Sequence, residues 1–231
     1  MDEKQFLDSR ACEVLKPEET AIIVVDVMDG YCNPEEPLPK FLKKTAGVNF
    51  MDLDKAADRI VAFLKASRKY PIATTVFVRM VERPEYLPVS IRLKMEIDGI
   101  PPTVVCGGQG WNYYKVKPRS SDYEIIKYRY DSFMGTDLDM HLKKYDVKTV
   151  IIVGGYASFC VDNTARSAAQ LGYHTFVPAD LTADPGLSDN PQTPDDIRKH
   201  LDAINSLMGY MPLSSTILYV WENILQNSIK G

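Results

Sequence analysis

The chain has 231 residues, 45% hydrophobic and 25% charged, with a net charge of -4 and a pI near 5.5. At ~150 residues per domain that is one domain or two, long enough to bury a sizeable core, so general disorder and a small disulfide scaffold are excluded. The acidic balance argues against nucleic acid or an anionic membrane as a partner, since both need a basic footprint.

The four cysteines are Cys12, Cys32, Cys106 and Cys160. None form a C-x-x-C pair, which argues against a zinc ribbon or a thioredoxin-type site. Residues 1–10 are charged and lack the apolar centre of a signal peptide, and no apolar run approaches the ~18 residues of a membrane span. The expectation is a cytoplasmic protein with free thiols.

The first strong element is "TAIIVVDV" at residues 20–27, a β-branched run of the kind buried on both faces of a sheet. Pro34, Pro37 and Pro39 then read as loop. Leu53, Ala56, Ala57, Ile60 and Leu64 recur with helical spacing, and residues 72–78 read as a second buried strand. Residues 81–122 carry Pro84, Pro88, Pro101, Pro102 and Pro118, and are expected to form an insertion of short helices with substrate or subunit contacts. Residues 123–128 read as a strand and 138–145 as a helix. Residues 147–153 ("VKTVIIV") form the third strong strand, ended by Gly154 and Gly155. Residues 160–171 read as a helix stopped by Gly172, 173–177 as a strand, and 193–207 and 214–226 as helices. Buried strands alternating with helices predict a single α/β domain: a three-layer αβα sandwich around a mostly parallel, Rossmann-like sheet.

In such sheets reactive groups sit beyond the carboxyl ends of the strands. Asp26 ends the first run, Lys127 ends "YEIIK", and Cys160 follows "TVIIVGG" at a helix start. Taken singly, each has an ordinary reading: a loop-capping carboxylate, a surface lysine, a small buried hydrophobe. Together they form a chemical unit. An ammonium and a helix amino terminus both favour a thiolate, and a carboxylate can take and return its proton. The histidines suit that role less. His141 and His200 fall inside helices and His174 begins a strand, at the wrong end of the sheet.

The segments "TAIIVVDVMDGY" (20–31), "EIIKYRYDSFMGTDLD" (124–139) and "TVIIVGGYASFCVDNTARSAAQLGYHTFVPAD" (149–180) resemble the isochorismatase-like cysteine hydrolases. That group includes N-carbamoylsarcosine amidohydrolase, nicotinamidase, ureidoacrylate amidohydrolase and biuret hydrolase. The resemblance implies Asp26, Lys127 and Cys160 as a catalytic triad. It also implies a cis peptide at Gly155–Tyr156 and an oxyanion hole from the backbone amides of Tyr156 and Cys160. It implies a homo-oligomer, a dimer or tetramer, acting on a small amide or ureide through a thioester. Met28 stands where the family often has Gln. After the second strand "TTVFVRMVERPEY" has no histidine for a nicotinamidase-type metal site, so no catalytic metal and no cofactor are expected.

Candidate pocket walls are Tyr31, Arg79, Trp111, Phe133, Tyr156 and Phe159, with Arg79 placed to pair with a substrate carboxylate; a surface salt bridge is its ordinary reading. For Trp111 and the two tyrosines after it the ordinary reading is a subunit interface or a core plug. Asp131 reads as a turn cap and Arg166 as half of an ion pair. The competing functions are weaker. A phosphatase of the aspartate-nucleophile kind needs a carboxylate where Met28 stands, and the G-x-G-x-x-G fingerprint of dinucleotide binding is absent. A vinyl-ether hydrolase of the isochorismatase type and a non-catalytic ligand-binding protein remain as alternatives.

Overall fold

The computed structural model describes residues 6–7, 9–82, 85–101, 104, 106–186 and 191–230. Pro84 and Pro102 lie outside them. The first strand, β1 (Thr20–Val25), has all its residues buried. Because alternate side chains in a strand point to opposite faces, that pattern requires cover on both sides of the sheet. Each fully buried Ile or Val there contributes ~1.5–3 kcal/mol of transfer free energy.

The prolines after β1 depart from the expectation of loop. Helix α1 (Pro37–Ala46) starts at Pro37 and includes Pro39 in its first turn, where the missing N–H costs nothing and the fixed φ suits the helix. Helix α2 (Met51–Ser67) buries the expected stripe, including Leu53, Ala56, Ala57, Ile60 and Leu64. Strand β2 (Thr74–Met80) follows. Among the described residues of the proline-rich stretch there is one helix, α3 (Val89–Asp98), with no buried residue. Then come β3 (Tyr123–Lys127), α4 (Leu138–Lys144) and β4 (Thr149–Gly155).

A π-helical turn, Ala157–Val161, precedes α5 (Asp162–Gln170). Beyond it are β5 (His174–Phe176), β6 (Thr182–Ala183), α6 (Pro194–His200) and α7 (Ser214–Lys230). The helix expected over 193–207 is broken: α6 ends at His200 and a second π turn spans Ile204–Met208. The apolar side of α7 packs inward. Trp221 is fully buried, stacks on Phe63 at 6.1 Å and lies 5.3 Å from the Tyr70 ring.

The main strand path is β3-β2-β1-β4-β5, with β6 paired to the end of β4, and every pairing is parallel. The chain steps from β1 out to β2 and β3, then crosses back to place β4 on the other side of β1. Right-handed crossovers therefore put α2 and α5 on opposite faces, giving the three layers. The reversal lies between β1 and β4, and such a switch point opens a crevice at the carboxyl ends of the strands. Gly154 keeps β1 and β4 close there. Its φ is 124°, and a Cβ on it would lie 2.0 Å from the Val25 carbonyl oxygen.

Candidate active site

Asp26 follows directly on β1. Its N–H still donates to the Val78 carbonyl at 3.1 Å, but its φ is 51°, a left-handed conformation that Asp tolerates better than most residues. The main chain thus leaves the sheet at the switch point. Lys127 is the last residue of β3 and shares a face with Ile125, also buried. The period of two turns this lysine inward. Its Nζ lies 2.8 Å from Asp26 Oδ2, with both side chains shut off from solvent, and donates to the Tyr130 carbonyl at 2.7 Å. The Asp26 contact is an ion pair without hydrogen-bond alignment: among the described residues neither Asp26 oxygen has an aligned donor.

Cys160 is brought to the same place from β4. The Gly155–Tyr156 peptide bond is cis. The chain then enters the π turn, in which Val161 N–H donates to the Tyr156 carbonyl at 3.2 Å. Such turns occur often at functional sites. Cys160 is the fourth residue of this turn rather than the opening residue of a helix, and it is buried. Burial pushes its thiol up, the Asp26 carboxylate adds to that, and the Lys127 ammonium opposes it without reversing it. The lowered thiol pKa expected from a helix start and a lysine is therefore not found. The resting arrangement favours a neutral thiol beside a carboxylate that can receive its proton. For Lys127, burial works against the charge, but Asp26 and Cys160 outweigh it and the ammonium is held above its ordinary range.

Asp26 and Cys160 open onto a pocket of about 170 Å³, walled also by Tyr31, Tyr156 and Phe159. Tyr156 donates to the Tyr31 carbonyl at 3.2 Å, and the two rings meet edge to face at 6.0 Å. The other candidate walls lie elsewhere. Arg79 pairs with Glu124 at 2.8 Å and sits over the rings of Trp111 and Tyr113 at 4.0 and 4.7 Å. Strand parity explains this, since Arg79 alternates with the inward Val78 and Met80. Phe133 stacks on Tyr173 at 6.1 Å. Asp131 accepts from Phe133 N–H at 2.8 Å as a turn cap, and Arg166 pairs with Asp162 at 2.9 Å.

Sequence reasoning missed Leu38, Met80, Glu82, Met95, Ile100 and Tyr130, which complete the wall. Glu82 accepts from the Tyr31 hydroxyl at 3.2 Å. Met95 and Ile100 come from α3 and the residues after it. Only the position of Glu82, two residues past a buried strand end, offered a signal. Among the described residues, no group of three His, Cys, Asp or Glu side chains is placed to hold a metal ion. A larger hollow of about 320 Å³ lies beside His174 and Tyr210, at the amino end of β5, and its described lining carries no thiol or carboxylate.

The family model for the isochorismatase domain matches residues 20–202. The chain belongs to the isochorismatase family. This isochorismatase-family hydrolase is 27% identical over 168 residues to the uncharacterized family protein YecD of Escherichia coli O157:H7, covering 72% of this chain and 80% of that one. It is 24% identical over 192 residues to the ureidoacrylate amidohydrolase RutB of Pseudomonas savastanoi pv. phaseolicola, covering 74% of each. Its fold matches the crystal structure of a cysteine hydrolase from Pseudomonas syringae pv. phaseolicola with a TM-score of 0.69 at 22% identity, covering 90% of this chain and 94% of the other. No helix among the described residues is long and apolar enough to cross a membrane, and the four cysteines are unpaired.

Proposed function

We propose that this protein is a metal-independent cysteine hydrolase that cleaves the C–N bond of a small amide or ureido compound through a thioester, releasing ammonia or an amine. The observation that carries the reading is the convergence of Asp26, Lys127 and Cys160 from three separate strand ends, with the carboxylate and thiol opening onto one pocket. The similarity to an amidohydrolase supports it.

In the first half-reaction the Cys160 sulfur bonds to the substrate carbonyl carbon as its proton passes to Asp26. The carbonyl π pair moves onto oxygen, where the amides of Tyr156 and Cys160 are the assigned donors. One such donor is worth ~3 kcal/mol of barrier. The Lys127 ammonium, 2.8 Å from Asp26 Oδ2, offsets the negative charge that arrives on sulfur. When the oxyanion collapses, the C–N bond breaks and Asp26 returns the proton to the leaving nitrogen. In the second half-reaction Asp26 takes a proton from water as the water oxygen attacks the thioester. The C–S bond breaks, the acid departs, and the proton returns to sulfur.

A buried thiol between a carboxylate and an ammonium is a device for acyl transfer, and hydrolysis of a vinyl ether has no use for it. A dimer or tetramer belongs to the same reading. Its support is the apolar line Val89, Leu93 and Ile97, all exposed on α3, the helix that also supplies Met95 to the pocket.

The test is ammonia release from a panel of small primary amides and ureides, including nicotinamide, biuret and N-carbamoyl amino acids. Turnover of a panel member that is lost in Cys160→Ala and Asp26→Asn is the expected result. Turnover that survives in Cys160→Ala, or binding of panel members with none turned over, refutes the reading.

A further inference from the structure

The turn that carries Cys160 is not capped by its own sequence. Its N-cap residue is Tyr156, which makes no side-chain capping bond. A helical turn begins with N–H groups that have no partner within it, and buried ones need an acceptor from somewhere. Here the acceptor comes from the residue that follows a distant strand.

Strand β6 runs beside the last two residues of β4, pairing Thr182 with Gly154 and Ala183 with Gly155, and the Thr182 hydroxyl donates to the Gly154 carbonyl at 2.7 Å. The next residue, Asp184, is buried and faces the start of the turn. Its Oδ1 accepts from Ser158 N–H at 3.0 Å and from Ser158 Oγ at 3.0 Å. Its Oδ2 lies 3.3 Å from the same N–H and 3.4 Å from His200 Nδ1.

Asp184 is itself held firmly. Its N–H donates to Gln192 Oε1 at 3.0 Å, and Gln192 Nε2 donates back to its carbonyl at 2.9 Å. The Gln192 N–H in turn donates to Asp52 Oδ2 at 3.0 Å, and Asp52 is a buried residue in the first turn of α2. A continuous hydrogen-bonded path therefore runs from α2 through Gln192 and Asp184 to the residue two places before Cys160.

We propose that Asp184 is a positioning residue for Cys160: by accepting both donors of Ser158 it fixes the turn so that the thiol meets Asp26 and the Tyr156 and Cys160 amides face one point. This rests on the proposed hydrolase reading. A carboxylate at the amino end of a helical turn also suits the turn's dipole. The essential part is the acceptor oxygen Oδ1, which takes the hydroxyl bond and the shorter N–H bond of Ser158; only the longer branch of the N–H, at 3.3 Å, goes to Oδ2. An Asn oxygen in that place keeps them, and its amide nitrogen would then face His200 Nδ1 as a donor.

Two readouts on the purified protein test this. Hydrogen–deuterium exchange over residues 157–161 reports the tie without any substrate. The kcat and KM of ammonia release, on the panel amide turned over fastest, report its consequence. Asp184→Ala should speed exchange in this turn and lower kcat by ~100-fold with KM little changed, the loss typical of a displaced reacting group. Asp184→Asn should restore both. Ser158→Ala, which removes the hydroxyl bond but keeps those of the N–H and serves if Asp184→Ala does not fold, should fall between them. Unaltered exchange or kcat in Asp184→Ala overturns the proposal, or in Ser158→Ala where that variant stands in. So does an Asp184→Asn protein as impaired as the alanine variant. Absence of turnover in the unmodified protein counts against the hydrolase reading instead, and the exchange data then decide the tie by themselves.

Discussion

Lys127 Nζ stands 2.8 Å from Asp26 Oδ2 with neither side chain reaching solvent. A pair buried this deeply has lost its hydration, so each charge depends on the other. Removing one partner strands a buried charge. Lys127→Met is expected to cost ~3–5 kcal/mol of folding stability. The double variant Asp26→Leu/Lys127→Met should lose less than the two single variants summed. Urea denaturation of the four proteins forms the cycle; additive losses would show that the pair is not coupled.

The same charges set the pH behaviour of Cys160. Its thiol is held above its ordinary range by burial first and by Asp26 second, while Lys127 pulls it down. Iodoacetamide labelling of Cys160, followed cysteine by cysteine by mass spectrometry, should therefore titrate above the free value of about 8.5. Asp26→Asn should lower the midpoint and Lys127→Met should raise it. A group whose folded pKa is raised gives stability that is fully present below its unfolded pKa and lost as pH climbs toward the folded one. Above about pH 8.5 the protein should thus lose stability more steeply than Cys160→Ala. A midpoint below 8.5 or equal slopes would contradict this.

The contact between the first and fourth strands makes a sharp steric prediction. A Cβ on Gly154 would lie 2.0 Å from the Val25 carbonyl oxygen, at a φ of 124° that L side chains rarely adopt. Both objections involve backbone, which has no rotamer to move aside. Gly154→Ala should destabilise by more than ~4 kcal/mol or fail to fold. A soluble variant melting within a few degrees of the parent would show that the strands separate easily.

Arg79 bears on substrate choice. It is engaged by Glu124, Trp111 and Tyr113, outside the pocket. Arg79→Met should lose roughly 1 kcal/mol from the cation–π contacts and leave KM for an accepted amide unchanged. A large rise in KM confined to carboxylate-bearing amides would restore Arg79 as a substrate ligand.

These residues also show what could be read from the chain alone. The buried strands were legible because "AIIVV", "TVFV" and "TVIIV" are β-branched runs that only a doubly covered sheet accommodates. Asp26, Lys127 and Cys160 were legible because each stands at or just past such a run. What was hidden depends on tertiary contact or on rare backbone. The prolines at 37 and 39 open a helix, and prolines mark a helix start and a loop alike until the following turn is known. The thiol pKa turned on burial and on the distance to Asp26, neither of which spacing reveals. Arg79 was misplaced by one step of strand parity. Met95 enters the pocket from a helix whose apolar residues alternate, a pattern that resembles a strand, and Ile100 from the residues just after it.

Under the proposed function Cys160 carries the acyl group of the substrate. The direct measurement is the intact mass of acid-quenched protein during turnover of a panel amide, followed by peptide mapping. An adduct equal to the acyl fragment is expected on the peptide containing Cys160, absent in Cys160→Ala and released as the free acid. Ammonia release by the Cys160→Ala protein at the parent rate, or an adduct on Cys12, Cys32 or Cys106 instead, would contradict it.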